Sequence, residues 1–364
     1  ARYPFRLLPG PKIHDVTLSA DPGIGTVTSI FEAMGYIFCV AGRFIYRIDP
    51  STFAVTFSRD IDPALGVMGT RWEDDYALVT TNATTNSLWK LVSLGAGPDN
   101  WTQTINVSAY RLAAGITRLF KVDYQGQLKN IATGLDPMLE ENWGDNVQVG
   151  ERITKPTGMV AYERTTFVAK PEGVFGVSEE GLGVPIIKRL SRDMNNGNGM
   201  AVVDPYVYVP HAHGLYRWSP GEVTSVGLEK ELMNESPITS AIQAITSVGQ
   251  WYYALSQVGA WVYVLVGRDR AGDEPSFGPI VWDTWARFPT ALQTPSRAIW
   301  FSTLTNPPTL WFARDKAVSY VRMPTTGGTP DVNSTDYRFA LVGESYTPKY
   351  KFDDRNQKGF PKIK

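Results

Sequence analysis

The chain has 364 residues, with 35 basic and 36 acidic side chains, a formal net charge of -1, 43% hydrophobic residues and 20% charged ones. This length and balance suit one large globular domain and argue against a disordered tail, and the near-zero charge leaves no global field to attract nucleic acid or an anionic membrane. No apolar run reaches the length of a membrane span, and residues 1–6 (ARYPFR) lack the apolar stretch of a signal peptide.

In chain order, residues 1–25 carry prolines and little periodicity, and are expected to be an N-terminal extension that runs along the outside or donates a closing strand. Residues 27–31 (VTSIF) suit a short inner strand, and the hairpin YIFCVAGRFIYRI follows from Tyr36. The lone Cys39 sits in its apolar run and reads as a small buried hydrophobe rather than half of a disulfide. Further units of the same form begin at Tyr76 (YALVTTNATTNSLWKL), Arg118 (RLFKVDYQGQLKNI), Thr166 (TFVAKPEGVFGV), Tyr206 (YVYVPHAHGLYRW), Trp251 (WYYALSQVGAWVYVLV) and Leu310 (LWFARDKAVSYVRM). Residues 157–161 and 241–245 precede two of these hairpins and again suit inner strands. Helical signals are confined to two short stretches, 136–143 and 226–233.

Seven hairpins at intervals of roughly 40–50 residues, the last interval being longer, match the chain used by a four-stranded propeller blade. The predicted fold is therefore an all-β, seven-bladed β-propeller spanning residues 26–345, with another propeller or a sandwich as the alternative architecture. Each hairpin would be the central pair of its blade. Ring closure calls for one blade that mixes strands from both termini, and residues 337–342 (YRFALV) are the expected C-terminal closing strand. Residues 346–364 would leave the ring as an exit segment toward another domain or partner.

No motif for catalysis emerges. The Gly-x-Ser-x-Gly elbow, the phosphate-binding glycine loop and the repeated signatures of WD40 and kelch propellers are missing. The acidic neighbours at 73–75, 140–141, 273–274 and 353–354 read as solvated turns rather than a glycosidase pair. His211 and His213 would share one strand face and could begin a metal site, but a third ligand is missing, and exposed turn residues are the simpler reading. Residues 193–199 (DMNNGNG) look superficially like a calcium loop but carry one carboxylate, and read as a turn leading into an inner strand. No metal or cofactor is predicted. Trp282 and Trp285, in the aromatic insertion FGPIVWDTW, are candidate binding residues together with His211 and His213. The simpler reading of the tryptophans is outer-strand packing between blades.

The stretch VYVLVGR (262–268), followed by GPIVWDTWARFP (278–289), resembles the late propeller segments of bacteriophage tail and baseplate proteins. The segment YTPKYKFDDRNQK (346–358) is similar to the passage by which such proteins leave the propeller, and FVAKPEGVF (167–175) also fits their blades. The resemblance implies a non-enzymatic structural component of a tail tip or baseplate, located in the virion and serving assembly and host adhesion. Its partners would be other tail proteins, copies of itself in a symmetric assembly, and a host surface glycan or protein. The alternative is a propeller that binds or acts on a host surface carbohydrate.

Overall fold

A computed structural model describes residues 12–18, 25–73, 76–96, 98–178, 183–187, 192–194, 196–203, 206–211, 214–226, 241–249, 251–269, 280–290, 297–314 and 316–324. These residues form 28 strands in seven four-stranded antiparallel sheets, a seven-bladed β-propeller. The inner strands are β2 (Val27–Ala33), β6 (Gly66–Trp72), β10 (Arg111–Ala114), β14 (Gly158–Tyr162), β18 (Ala201–Val203), β22 (Ile242–Val248) and β26 (Ile299–Ser302). In six blades the chain then steps outward one strand at a time. Blade one, for example, runs from β2 through β3 (Tyr36–Ala41) and β4 (Phe44–Ile48) to β5 (Val55–Asp60). All seven hairpins expected from the sequence are the second and third strands of a blade.

Closure is different from the expectation for residues 337–342. Blade seven takes β26, β27 (Thr309–Arg314) and β28 (Ala317–Arg322) from the end of the described chain. Its outer strand is β1 (His14–Thr17), which pairs antiparallel with β28. Residues 337–342 lie outside the described residues, and the edge they would have completed is filled from the N-terminal side. The helical expectation for residues 136–143 shortens to a single turn. Residues 140–142 form one turn of 3-10 helix (Glu140–Asn142), and residues 227–233 lie outside the described residues.

Strand periodicity explains why so weak a repeat makes a stable ring. Successive side chains point to opposite faces of a blade, so each blade has two apolar faces. In β15 (Thr165–Lys170), Val168 joins a buried cluster with Phe120 and Val122 of blade three. Its neighbours Phe167 and Ala169 join another with Val207 and Val209 of blade five. The core is thus a circle of slabs between blades rather than one central mass. Between blades one and two, Phe38 stacks with Phe31 at 5.5 Å and meets Trp101 edge-on at 6.1 Å. Each such fully buried ring contributes about 1.5–3 kcal/mol over an exposed one. Cys39 is fully buried, and burial pushes its thiol pKa well up, consistent with a packing role.

Near the axis the inner strands crowd, and glycine permits their approach. A Cβ on Gly69 would lie 2.0 Å from the Phe31 ring, and Gly69 N–H donates to Ser29 Oγ at 3.0 Å. A Cβ on Gly158 would lie 1.9 Å from the Gly197 carbonyl oxygen.

Candidate functional site

In every blade the chain passes from an outer strand to the next inner strand at the same end of the ring as the turn between the second and third strands. That end therefore gathers the residues that open the inner strands. Arg111 is the first residue of β10, and Arg297 stands two residues before β26. Both line a cavity of about 130 Å³ on the axis, together with residues 28–30 of β2, Met68, Met159, residues 198–200 and Ile299. Six of the seven blades, or the segments leading into them, contribute to its wall.

The turn 193–199 is part of this wall. As expected, it leads into β18; Asn196 and Asn198 are buried, and Gly197 and Gly199 adopt positive φ angles of 68° and 63°. The reason is crowding. The Asn196 carbonyl accepts from Thr157 Oγ1, Gly197 N–H donates to the Pro210 carbonyl at 2.7 Å, and a Cβ on Gly199 would fall 1.7 Å from the Gln243 carbonyl oxygen. The turn is wedged among blades four, five and six. With its amide oriented to satisfy both ends, Asn198 Nδ2 donates to the Thr157 carbonyl at 3.1 Å. Its Oδ1 then accepts from Arg297 Nη2 at 3.3 Å.

Electrostatics set the two arginines apart from other interior cations. Arg47, Lys121 and Lys170 are buried, and each meets a carboxylate. Arg47 is 2.9 Å from Asp99, Lys121 pairs with Glu140, and Lys170 lies 3.9 Å from Glu172 while donating to the Val149 and Glu151 carbonyls. That is the ordinary requirement for an interior charge. Arg111 and Arg297 have no carboxylate partner among the described residues. Arg111 Nε is shielded from solvent and unbonded, while part of the residue stays open to the channel. Burial lowers the Arg111 pKa to about 10, with Tyr110 opposing and the Arg297 charge adding to the shift. Burial likewise lowers the pKa of Arg297. At that value Arg111 stays charged at neutral pH, and a guanidinium in a protein ordinarily keeps its proton.

The residues singled out from the sequence are distributed differently. His211 is not an exposed turn residue: it ends β19 (Tyr206–His211), opposite Gly214 in β20 (Gly214–Ser219), and is buried edge-on to Tyr216 at 5.9 Å. Pairing that extends as far as His211 and Gly214 draws His211 into the sheet. His213 lies outside the described residues. Trp282 and Trp285 belong to the backbone of β25 (Ile280–Pro289), the outer strand of blade six. Trp282 stands opposite Gly267, and Trp285 falls at a bulge between the Ala286 and Thr284 pairings. The structure therefore does not bring the tryptophans to the channel. Of the acidic neighbours, Glu140 is bound by Lys121 and Lys129, and 273–274 and 353–354 lie outside the described residues. Among the described residues no cluster of three His, Cys, Asp or Glu is arranged to hold a metal, and no helix is long and apolar enough to cross a membrane.

Sequence reading missed Arg111 and Arg297. Their signal is positional: an arginine at the head of an inner strand, where blade one has Thr28 and blade four Gly158. It becomes visible only after the blades are aligned.

No protein-family model and no curated protein matches the chain. Solved structures do. Virginiamycin B lyase from Staphylococcus aureus is similar at a TM-score of 0.62 and 12% identity, over 86% of this chain and 99% of that one. A chain of the mitotic checkpoint complex reaches 0.61 at 10% identity, over 89% and 98%. The WD40 repeats of RRP9 reach 0.57 at 11%, over 86% and 98%. At these identities the likeness establishes the propeller fold and no shared activity.

Proposed function

We propose that the chain is a structural component of a phage tail tip or baseplate, located in the virion and serving assembly and host adhesion without catalysis. One observation carries this reading: the residues that resemble late propeller segments of tail proteins fall on the most distinctive blade. Residues 262–268 lie in β24 (Trp261–Asp269), and residues 280–289 make up β25. With β23 (Trp251–Val258) these strands have 8, 9 and 10 residues, whereas no other described strand exceeds 7. The enlarged sheet ends at the rim of the ring, where a propeller meets its neighbours in an assembly.

Other tail proteins, further copies of this chain and a host surface molecule are the partners that this role requires. Mass spectrometry of purified virions, with immunogold labelling, tests it. The chain should copurify with particles, with label at the tail end, and recovery only outside particles would refute the assignment.

A second reading, a propeller that binds a host surface carbohydrate, is favoured by the cationic channel. A glycan array on the purified chain tests it: retention of acidic glycans in preference to their neutral counterparts is expected.

A further inference from the structure

We propose that the axial channel is an oxyanion site, in which one carboxylate or phosphate group of a ligand binds between Arg111 and Arg297. The inference concerns this cavity alone and stands whether or not the chain belongs to a virion.

Three observations converge. First, two guanidinium groups face one small cavity with no carboxylate partner among the described residues, whereas the three buried cations elsewhere each have one. Like charges facing one cavity repel, and a bound anion removes that repulsion while accepting their N–H donors. Second, the site is built rather than incidental. Arg297 is oriented by Asn198, which is itself buried and fixed by Thr157, and Arg111 lies beside the Tyr110 ring, 5.7 Å from its centroid. Third, the cavity suits a group rather than a molecule. Ligand pockets commonly measure roughly 300–1,000 Å³. A space of about 130 Å³ has room for a single anionic group with some water. Met68, Met159 and Met200 line the rest with weakly polar surface, which strengthens the attraction by limiting solvent screening.

A terminal or branching acidic group, such as a uronate carboxylate or a phosphate ester, has the required chemistry. The remainder of such a ligand would lie across the ring end that carries the openings of the inner strands.

Thermal unfolding of the whole chain at constant ionic strength tests the proposal, with sodium phosphate or sodium glucuronate replacing sodium chloride. At least one probe should raise the melting temperature by about 2–4 °C at concentrations well above its dissociation constant. A response to phosphate alone assigns a phosphorylated ligand, and a response to glucuronate alone a uronate. R111Q and R297Q should each abolish the rise. Without anion, either variant should melt at or above the wild type, because one of two like charges is gone, whereas a purely structural arginine would leave it less stable. R111K, which keeps the charge but loses the planar fork, should retain a weakened response. Isothermal titration of the unaltered chain gives the same answer without a variant. Absence of any anion-dependent rise, or its persistence in the R111Q/R297Q double variant, overturns the proposal.

Discussion

Ser319 Oγ donates a hydrogen bond to the Asp15 carboxylate at 2.7 Å across 304 residues of sequence. Arg314 joins the same carboxylate at 3.0 Å, and in the adjacent register pair His14 stacks on Tyr320 with ring centroids 4.9 Å apart. Phe53, from blade one, also stacks on Tyr320, at 4.2 Å. These contacts fasten the N-terminal strand to blade seven and blade seven to blade one. Val16 and Leu18 sit beneath them in the shared core.

Removing residues 1–18 should therefore cost far more than breaking the polar contacts. Loss of two buried aliphatic side chains predicts a decrease of about 3–6 kcal/mol in unfolding free energy. The uncovered β28 edge predicts concentration-dependent self-association, measurable by sedimentation. D15A, whose carboxylate is largely exposed, should cost about 1 kcal/mol or less.

Acidification should loosen the same seam. Burial, with the charges of Lys12 and Arg322, lowers the His14 pKa below its ordinary 6.5, and Asp15 opposes the shift. The unfolded chain then takes up this proton before the folded one. The stability held by neutral His14 is complete above pH 6.5, declines as the pH falls below it, and levels off beneath the folded pKa. Urea midpoints of wild type and H14F should separate as the pH falls below 6.5, the wild type losing stability that H14F keeps, and parallel curves would refute the assignment.

Between blades one and two, Asp99 binds Arg47 at 2.9 Å and accepts from Ser58 Oγ at 2.7 Å and Gly95 N–H at 2.8 Å. Its side chain is fully buried. D99A leaves Arg47 uncompensated and should destabilise the ring by about 3–5 kcal/mol in chemical denaturation. The double variant D99A/R47M should recover part of that loss.

G158A should be costly although it adds one methyl group. The obstacle is the backbone carbonyl of Gly197, which cannot rotate away as a side chain would. A loss of about 1–3 kcal/mol is expected in thermal or urea unfolding. A variant with wild-type stability would mean that the turn 193–199 can move away from β14.

The hairpins were legible in the sequence because each carries a continuous signal: alternating apolar residues, a polar turn and a second apolar run. β1 carries almost none. Of its residues His14, Asp15, Val16 and Thr17, only Val16 is buried, so a closing strand could be expected within residues 1–25 but not placed until β28 is seen to have an open edge. His211 is hard to place from sequence because proline, histidine and glycine together resemble turn chemistry, while the strand register extends to His211 and Gly214. The turn leading into β18 was legible from its glycines and asparagines, while the burial of Asn196 and Asn198 was not, because it depends on neighbouring blades. The arginine pair was illegible because its members come from blades three and seven, and only ring closure places them on one axis.

Closure by β1 also sets an order of events on the ribosome. The strand emerges ahead of its partner, which is made 304 residues later. At translation rates of about 5–20 residues per second, it waits roughly 15–60 s before β28 exists. A strand with one apolar side chain among four residues can spend that interval in water without sticking to nascent blades. The sparse apolar content that leaves β1 without a strand pattern of its own thus suits a segment made long before its partner and docked late.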